Sequence, residues 1–166
     1  MVKDINSLTE EDLAQAAKDF FNLGTIAEMR GITHEELEAV YSTGFSFYNT
    51  GRYDDAETIF KFLVMFDHLE QKYWLGLGAV AQVKKEYSKA VVAYGYAGFL
   101  DLENPKPQYY AAECFYALGD KEKALSALAS LEQYCPRDTE EGKEFRKKAA
   151  QLKAKVESLE SVTEGA

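Results

Sequence analysis

The chain has 166 residues, of which 46% are hydrophobic and 28% are charged, and its formal net charge is −9 at pH 7. This length suffices for one domain with a substantial apolar core. The excess of negative charge argues against nucleic acid and anionic membrane surfaces as partners, because both carry charge of the same sign. Basic or apolar polypeptides fit such a surface better.

Residues 1–36 are predicted to form a helical leader. The first residues, MVKDINSLTEEDL, are acidic and contain no apolar segment typical of a secretory signal, so we expect a cytosolic protein. Apolar residues then recur at helical spacing up to Gly24, which predicts a helix. A short domain does not bury all of them, and we therefore expect a homodimer interface here. Its predicted residues are Leu13, Ala17, Phe20, Phe21 and Leu23.

Two T-x-x-E sequences follow, and each is typical of a capping box at the start of a helix. Thr25 and Glu28 predict a very short helix that ends at Gly31. Thr33 and Glu36 predict the start of a longer helix, which is the first helix of a repeat array.

The central part of the chain repeats with a period of 34 residues, marked by Ala56, Ala90 and Ala124. In a helical pattern this period is typical of the tetratricopeptide repeat, a helix–turn–helix unit that stacks into a solenoid. Small residues recur at the position where neighbouring helices approach closely. These are Gly44, Gly78 and Ala112.

The C-terminal segment is highly charged, but Phe145, Ala149, Leu152 and Val156 lie three or four residues apart within it. This spacing predicts an amphipathic helix. We expect the helix to cap the open end of the solenoid, because terminal repeats need a polar outer face. The last five residues are expected to fray.

The predicted fold is therefore all-α, with three tandem tetratricopeptide repeats that form a short right-handed solenoid between leader helices and a C-terminal capping helix. The expected domains are a leader at 1–36, the repeats at 37–138 and the capping helix and tail at 139–166. The individual repeats are expected at 37–70, 71–104 and 105–138.

The sequence offers little chemistry. Residues 76–81, GLGAVA, match part of the dinucleotide-binding fingerprint, but they fall inside a predicted helix instead of between a strand and a helix. Close helix packing explains Gly78 without a ligand. Cys114 and Cys135 have no spacing typical of a metal site or disulfide framework, and we expect them to be reduced and packed. We predict that the protein is not an enzyme and binds no cofactor or metal.

Aromatic residues on the first helix of each repeat carry the strongest functional signal. Tyr41, Phe45 and Tyr48 form an i, i+4, i+7 stripe on a different face from core positions such as Phe47. In a tetratricopeptide solenoid this stripe faces the concave side, where tyrosine offers a peptide both an apolar ring and a hydroxyl. The alternative is that the leader helices cover the stripe and make it ordinary core. The predicted peptide-binding groove comprises Tyr41, Phe45, Tyr48, Asn49, Leu75, Ala79, Gln82, Tyr109, Glu113 and Tyr116.

Several stretches together resemble the class II chaperones of bacterial type III secretion systems, which escort the pore-forming translocator proteins. The matching stretches are GTIA at 24–27, FSFY at 45–48, GRYDDA at 51–56, LGLGA at 75–79 and AAEC at 111–114. The resemblance implies three repeats, an N-terminal region that mediates homodimerisation, and residence in the bacterial cytoplasm. It also implies that a concave groove binds an extended translocator segment through apolar and proline anchors, with Tyr41, Phe45 and Tyr48 among the groove residues.

The predicted function is that of a non-enzymatic chaperone, which keeps translocator subunits soluble in the cytoplasm until they are secreted. A tetratricopeptide adaptor that scaffolds a complex without chaperone activity is the alternative. Neither function requires direct binding to nucleic acid or membrane.

Overall fold

The computed structural model describes Thr9, Gln15, Lys18, Asn22 and residues 24–159. Eight helices have defined bounds, and no β-strand occurs in these residues. The predicted dimer residues Leu13, Ala17, Phe20, Phe21 and Leu23 lie outside the described residues. The helices are α1 (Ile26–Arg30), α2 (His34–Asn49), α3 (Tyr53–Phe66), α4 (Gln71–Val83), α5 (Tyr87–Leu100), α6 (Pro105–Ala117), α7 (Lys121–Tyr134) and α8 (Glu140–Glu157).

Both predicted capping boxes are confirmed. The Thr25 hydroxyl accepts a hydrogen bond from the backbone N–H of Glu28 (3.1 Å), and the Glu28 carboxylate accepts one from the backbone N–H of Thr25 (2.7 Å). Thr33 and Glu36 form the same reciprocal pair at the start of α2. Gly31 ends α1 in the left-handed conformation (φ 67°), as expected for a helix C-cap.

Consecutive helices pack as three pairs, α2 with α3, α4 with α5, and α6 with α7, and each pair also contacts the next. Their small residues permit this close approach. A Cβ added to Gly78 would lie 2.6 Å from the Tyr94 ring, and one added to Gly44 would lie 2.7 Å from Cγ2 of Ile59. Ala112, at the equivalent position of the third pair, is fully buried. Packing therefore accounts for Gly78, as predicted.

The C-terminal helix α8 packs against α6 and α7. Its buried residues Phe145, Ala149, Leu152 and Val156 join the core of the last pair, which confirms the predicted amphipathic helix.

Burial raises the pKa of the Cys114 thiol to about 12, and this cysteine forms no disulfide. No helix in the described part of the chain has the length and apolar character needed to span a bilayer.

Candidate functional site

A groove of about 920 Å³ runs along the first helices of the three pairs. We call it the inner groove. It is lined by residues from α2, α4 and α6, with additions from α3, α5 and the loops between pairs. The lining residues are Tyr41, Phe45, Tyr48, Phe60, Glu70, Gln71, Lys72, Leu75, Gly76, Ala79, Gln82, Val83, Tyr87, Tyr94, Asn104, Lys106, Tyr110, Glu113 and Ala117.

Aromatic rings from α2 form one wall of the inner groove. The rings of Tyr41 and Phe45 stack with centroids 6.3 Å apart, and Phe45 is 50% exposed. Tyr41 also contacts the core, because its ring lies 5.9 Å from that of Phe60 and 5.8 Å from that of Tyr73. The expectation that the stripe occupies a face separate from the core is therefore wrong for Tyr41, whose ring is large enough to reach both. It is also wrong for Tyr48, which packs against the same core cluster.

Phe60 reaches the inner groove because the neighbouring residue on α4 is Gly76. A Cβ at Gly76 would overlap the Phe60 ring, so only glycine leaves room for the ring at this point. Sequence reasoning missed both residues. The available signal was Gly76, the first glycine of GLGAVA, to which the 34-residue period assigns no packing role.

A polar network lies across the floor of the inner groove. The Tyr94 hydroxyl donates to Oε1 of Gln82 (2.7 Å), and Nε2 of Gln82 donates to Oε2 of Glu113 (3.2 Å). Tyr109 is near enough to Glu113 for the carboxylate charge to act on its hydroxyl. Burial, assisted by the charge of Glu113, raises the pKa of the Tyr109 hydroxyl to about 12, so the phenol stays protonated.

Two lysines stand at one end of the inner groove, and each already has an anionic partner. Lys72 pairs with Glu38, and its ammonium group lies 5.1 Å from the centre of the Tyr41 ring. Lys106 pairs with Glu141 at 2.8 Å. The site thus combines exposed aromatic rings with a few fixed polar groups, which is typical of a surface for polypeptide recognition. Within the described residues, no group of three or more His, Cys, Asp or Glu side chains is arranged to hold a metal.

Known proteins match this chain in both sequence and structure. Profiles of the tetratricopeptide repeat match residues 37–68, 72–104 and 108–137. The low calcium response locus protein H of Yersinia pestis is 32% identical over 136 residues, which cover 82% of this chain and 79% of that protein.

Two solved structures share the fold. A T3SS complex from Aeromonas hydrophila superposes with a TM-score of 0.78 at 30% identity and covers 87% of this chain and 95% of its own. The Yersinia enterocolitica type III secretion chaperone SycD, in complex with a peptide of the translocator YopD, superposes with a TM-score of 0.71 at 30% identity. That match covers 76% of this chain and 95% of SycD.

The chain belongs to the type III secretion translocator chaperones. The predicted family and the predicted all-helical tetratricopeptide fold are confirmed. The translocator chaperones are a family of chaperones and not of enzymes.

Seven of the ten residues predicted for the groove of this translocator chaperone line the inner groove together. They are Tyr41, Phe45, Tyr48, Leu75, Ala79, Gln82 and Glu113. Their contact with a peptide stays a prediction.

The other three predicted residues lie elsewhere. Asn49 is exposed at the end of α2, while Tyr109 and Tyr116 pack against the cluster around α8, with the Tyr109 ring 5.4 Å from that of Phe145. Tyr110 lines the inner groove instead, with its ring 5.6 Å from that of Tyr94. Helix α8 accounts for Tyr109 and Tyr116, because both rings pack against its cluster; it also contacts Tyr110, whose ring lies 6.2 Å from that of Phe145. The apolar stripe of α8, visible in the sequence, could have indicated that one face of α6 is needed to cover it.

Proposed function

We propose that this translocator chaperone binds an extended apolar segment of a type III secretion translocator in the inner groove. The observation that carries the proposal is Phe45, a half-exposed ring stacked on Tyr41 in a groove formed by three helix pairs. The complex of SycD with a peptide of YopD supports it, because SycD is a relative with the same fold.

The chaperone activity follows from what the inner groove buries. Each apolar or proline anchor of the client that is transferred from water into the groove contributes about 1.5–3 kcal/mol to binding. A bound client segment no longer exposes these anchors to other chains, and the net charge of −9 keeps the complex soluble in the bacterial cytoplasm. A tetratricopeptide adaptor without chaperone activity would bind its partner without changing the partner's solubility.

Phe45 and Phe99 allow a matched test of the inner groove. Both side chains are 50% exposed, but Phe99 lies on α5 outside the inner groove. We expect F45A to weaken binding about tenfold, since losing one anchor contact costs at least ~1.4 kcal/mol, and F99A to leave binding unchanged. The measurement is co-expression with the translocators of the same secretion system, followed by co-purification and the soluble fraction of each translocator. Equal behaviour of F45A and F99A would contradict the proposal.

We also propose that residues 1–36 form a dimerisation region, residues 37–138 the client-binding repeats and residues 139–166 a capping helix and tail. The apolar leader residues Leu13, Ala17, Phe20, Phe21 and Leu23 are the proposed interface.

The dimer prediction is tested in the full chain by the double substitution Phe20→Asp and Phe21→Asp. We expect light scattering to give about twice 18.7 kDa for the wild type and about 18.7 kDa for the variant, because a buried charge disfavours the apolar interface. Phe62→Asp, which places a charge on the outer surface of α3, is the control and should leave the dimer intact. A monomeric wild type at micromolar concentration would overturn the prediction.

A further inference from the structure

Among the described residues, some charged side chains of the inner groove form ion pairs and others do not. Four of its lining residues carry charge, namely Glu70, Lys72, Lys106 and Glu113. Both lysines are neutralised by carboxylates, as described above. Neither Glu70 nor Glu113 forms an ion pair among the residues that the structure describes.

The two unpaired carboxylates differ in what they do for the fold. Glu70 caps α4, because its side chain accepts a hydrogen bond from the backbone N–H of Lys72. Glu113 caps no helix and lies in the middle of α6. Its side chain faces the inner groove, where a bound peptide would cover it.

A neutral donor fixes the position of the Glu113 carboxylate. The amide of Gln82 donates to it, and Gln82 in turn accepts a hydrogen bond from the hydroxyl of Tyr94, a residue that is only 2% exposed. Lys148 is close enough for its charge to act on Glu113, but its ammonium group pairs with Glu144. The network therefore orients a negative charge towards the inner groove without supplying a cation.

An apolar client segment that covers Glu113 removes water from this charge, and a buried carboxylate without a cationic partner is costly. A basic side chain of the client offsets that cost through a charge-assisted hydrogen bond. We propose that Glu113 is a specificity-determining residue that selects client segments carrying a lysine or arginine beside their apolar anchors. This inference rests on the proposed function of the inner groove.

The test uses a set of fluorescein-labelled peptides of about 12 residues, which span ~40 Å when extended. Each carries leucine, valine and proline anchors in a serine background, and one remaining position at a time is lysine, glutamine or glutamate. Fluorescence anisotropy with the full-length protein measures each affinity. At one peptide position we expect the peptide with lysine to bind about tenfold more tightly than the peptide with glutamine, which corresponds to ~1.4 kcal/mol. The peptide with glutamate at that position should bind more weakly than the one with glutamine.

A pair of glutamate substitutions assigns the preference. Glu113→Gln is expected to abolish the preference for lysine over glutamine at that position. Glu122→Gln removes the same charge from an exposed site on α7, outside the inner groove, and should keep the preference. Added salt should weaken the preference of the wild type, because the interaction is ionic.

The outcomes separate this inference from the function on which it rests. Peptides that bind regardless of the charge at every position would support the groove and overturn the role of Glu113. A lysine preference that persists in E113Q would also overturn it. If no anchor-bearing peptide binds, both the proposed groove function and this inference fail.

Discussion

At the scale of single residues, Lys85 occupies a backbone conformation that suits glycine. Gly51, Lys85 and Gly119 lie one 34-residue period apart in the turns between paired helices, with φ angles of 76°, 61° and 75°. Among the described residues, Lys85 is the only residue other than glycine with a positive φ. A side chain in this left-handed region costs about 1–2 kcal/mol, so this turn is strained relative to the other two.

We therefore expect Lys85→Gly to stabilise the protein. The predicted gain is about 0.5–1 kcal/mol, because relief of the left-handed strain exceeds the extra chain entropy that glycine adds to the unfolded state. Urea unfolding followed by circular dichroism measures it. The matched control is Gly119→Ala, which introduces the same strain in the third turn and should destabilise by about 1 kcal/mol. An unchanged or lowered midpoint for K85G would show that the turn at Lys85 is unstrained.

At the scale of helices, the repeat period predicted where helices pair but not which faces they cover. The loops within the three pairs, at 50–52, 84–86 and 118–120, lie one 34-residue period apart, as the repeat predicts. The capping boxes at Thr25 and Thr33 were equally predictable, because a cap depends on a few neighbouring residues. Both features are local in sequence.

The differences between the predicted and the observed lining of the inner groove arise from contacts between distant helices. The 34-residue period gives all three first helices the same orientation, and every predicted groove residue on α2 and α4 except Asn49 lines the inner groove. Helix α6 differs because its neighbour is α8 and not a fourth repeat. Tyr109 and Tyr110 both contact Phe145 of α8, and of these two tyrosines only Tyr110 also lines the inner groove. Phe60 enters the inner groove only because Gly76 has no side chain, a contact between α3 and α4 that neither helix reveals alone.

At the scale of the whole molecule, an ionic network joins the first helix pair to the second. Lys84, at the end of α4, pairs with Glu57 and Asp54 of α3, and Lys61 pairs with Glu57 from within α3. The Glu57 side chain is only 14% exposed. Hydrogen bonds from Lys61 and Lys84 lower the pKa of the Glu57 carboxyl to about 2. Solenoid stability depends on such contacts between neighbouring pairs.

This network predicts how stability depends on pH. A carboxyl group whose pKa is depressed in the folded state stabilises the protein above its ordinary pKa of 4.5, and the contribution is lost as pH falls from 4.5 towards about 2. We expect Glu57→Gln to lower the free energy of unfolding by about 1 kcal/mol at neutral pH, a value reduced by solvent screening. The free energies of unfolding of the two proteins should converge as the pH approaches 2.

Urea unfolding across this pH range measures the difference, with Glu132→Gln on the exposed side of α7 as the control. A difference between E57Q and the wild type that is independent of pH would mean that Glu57 acts through packing, and the ionic coupling of the first two pairs would be rejected.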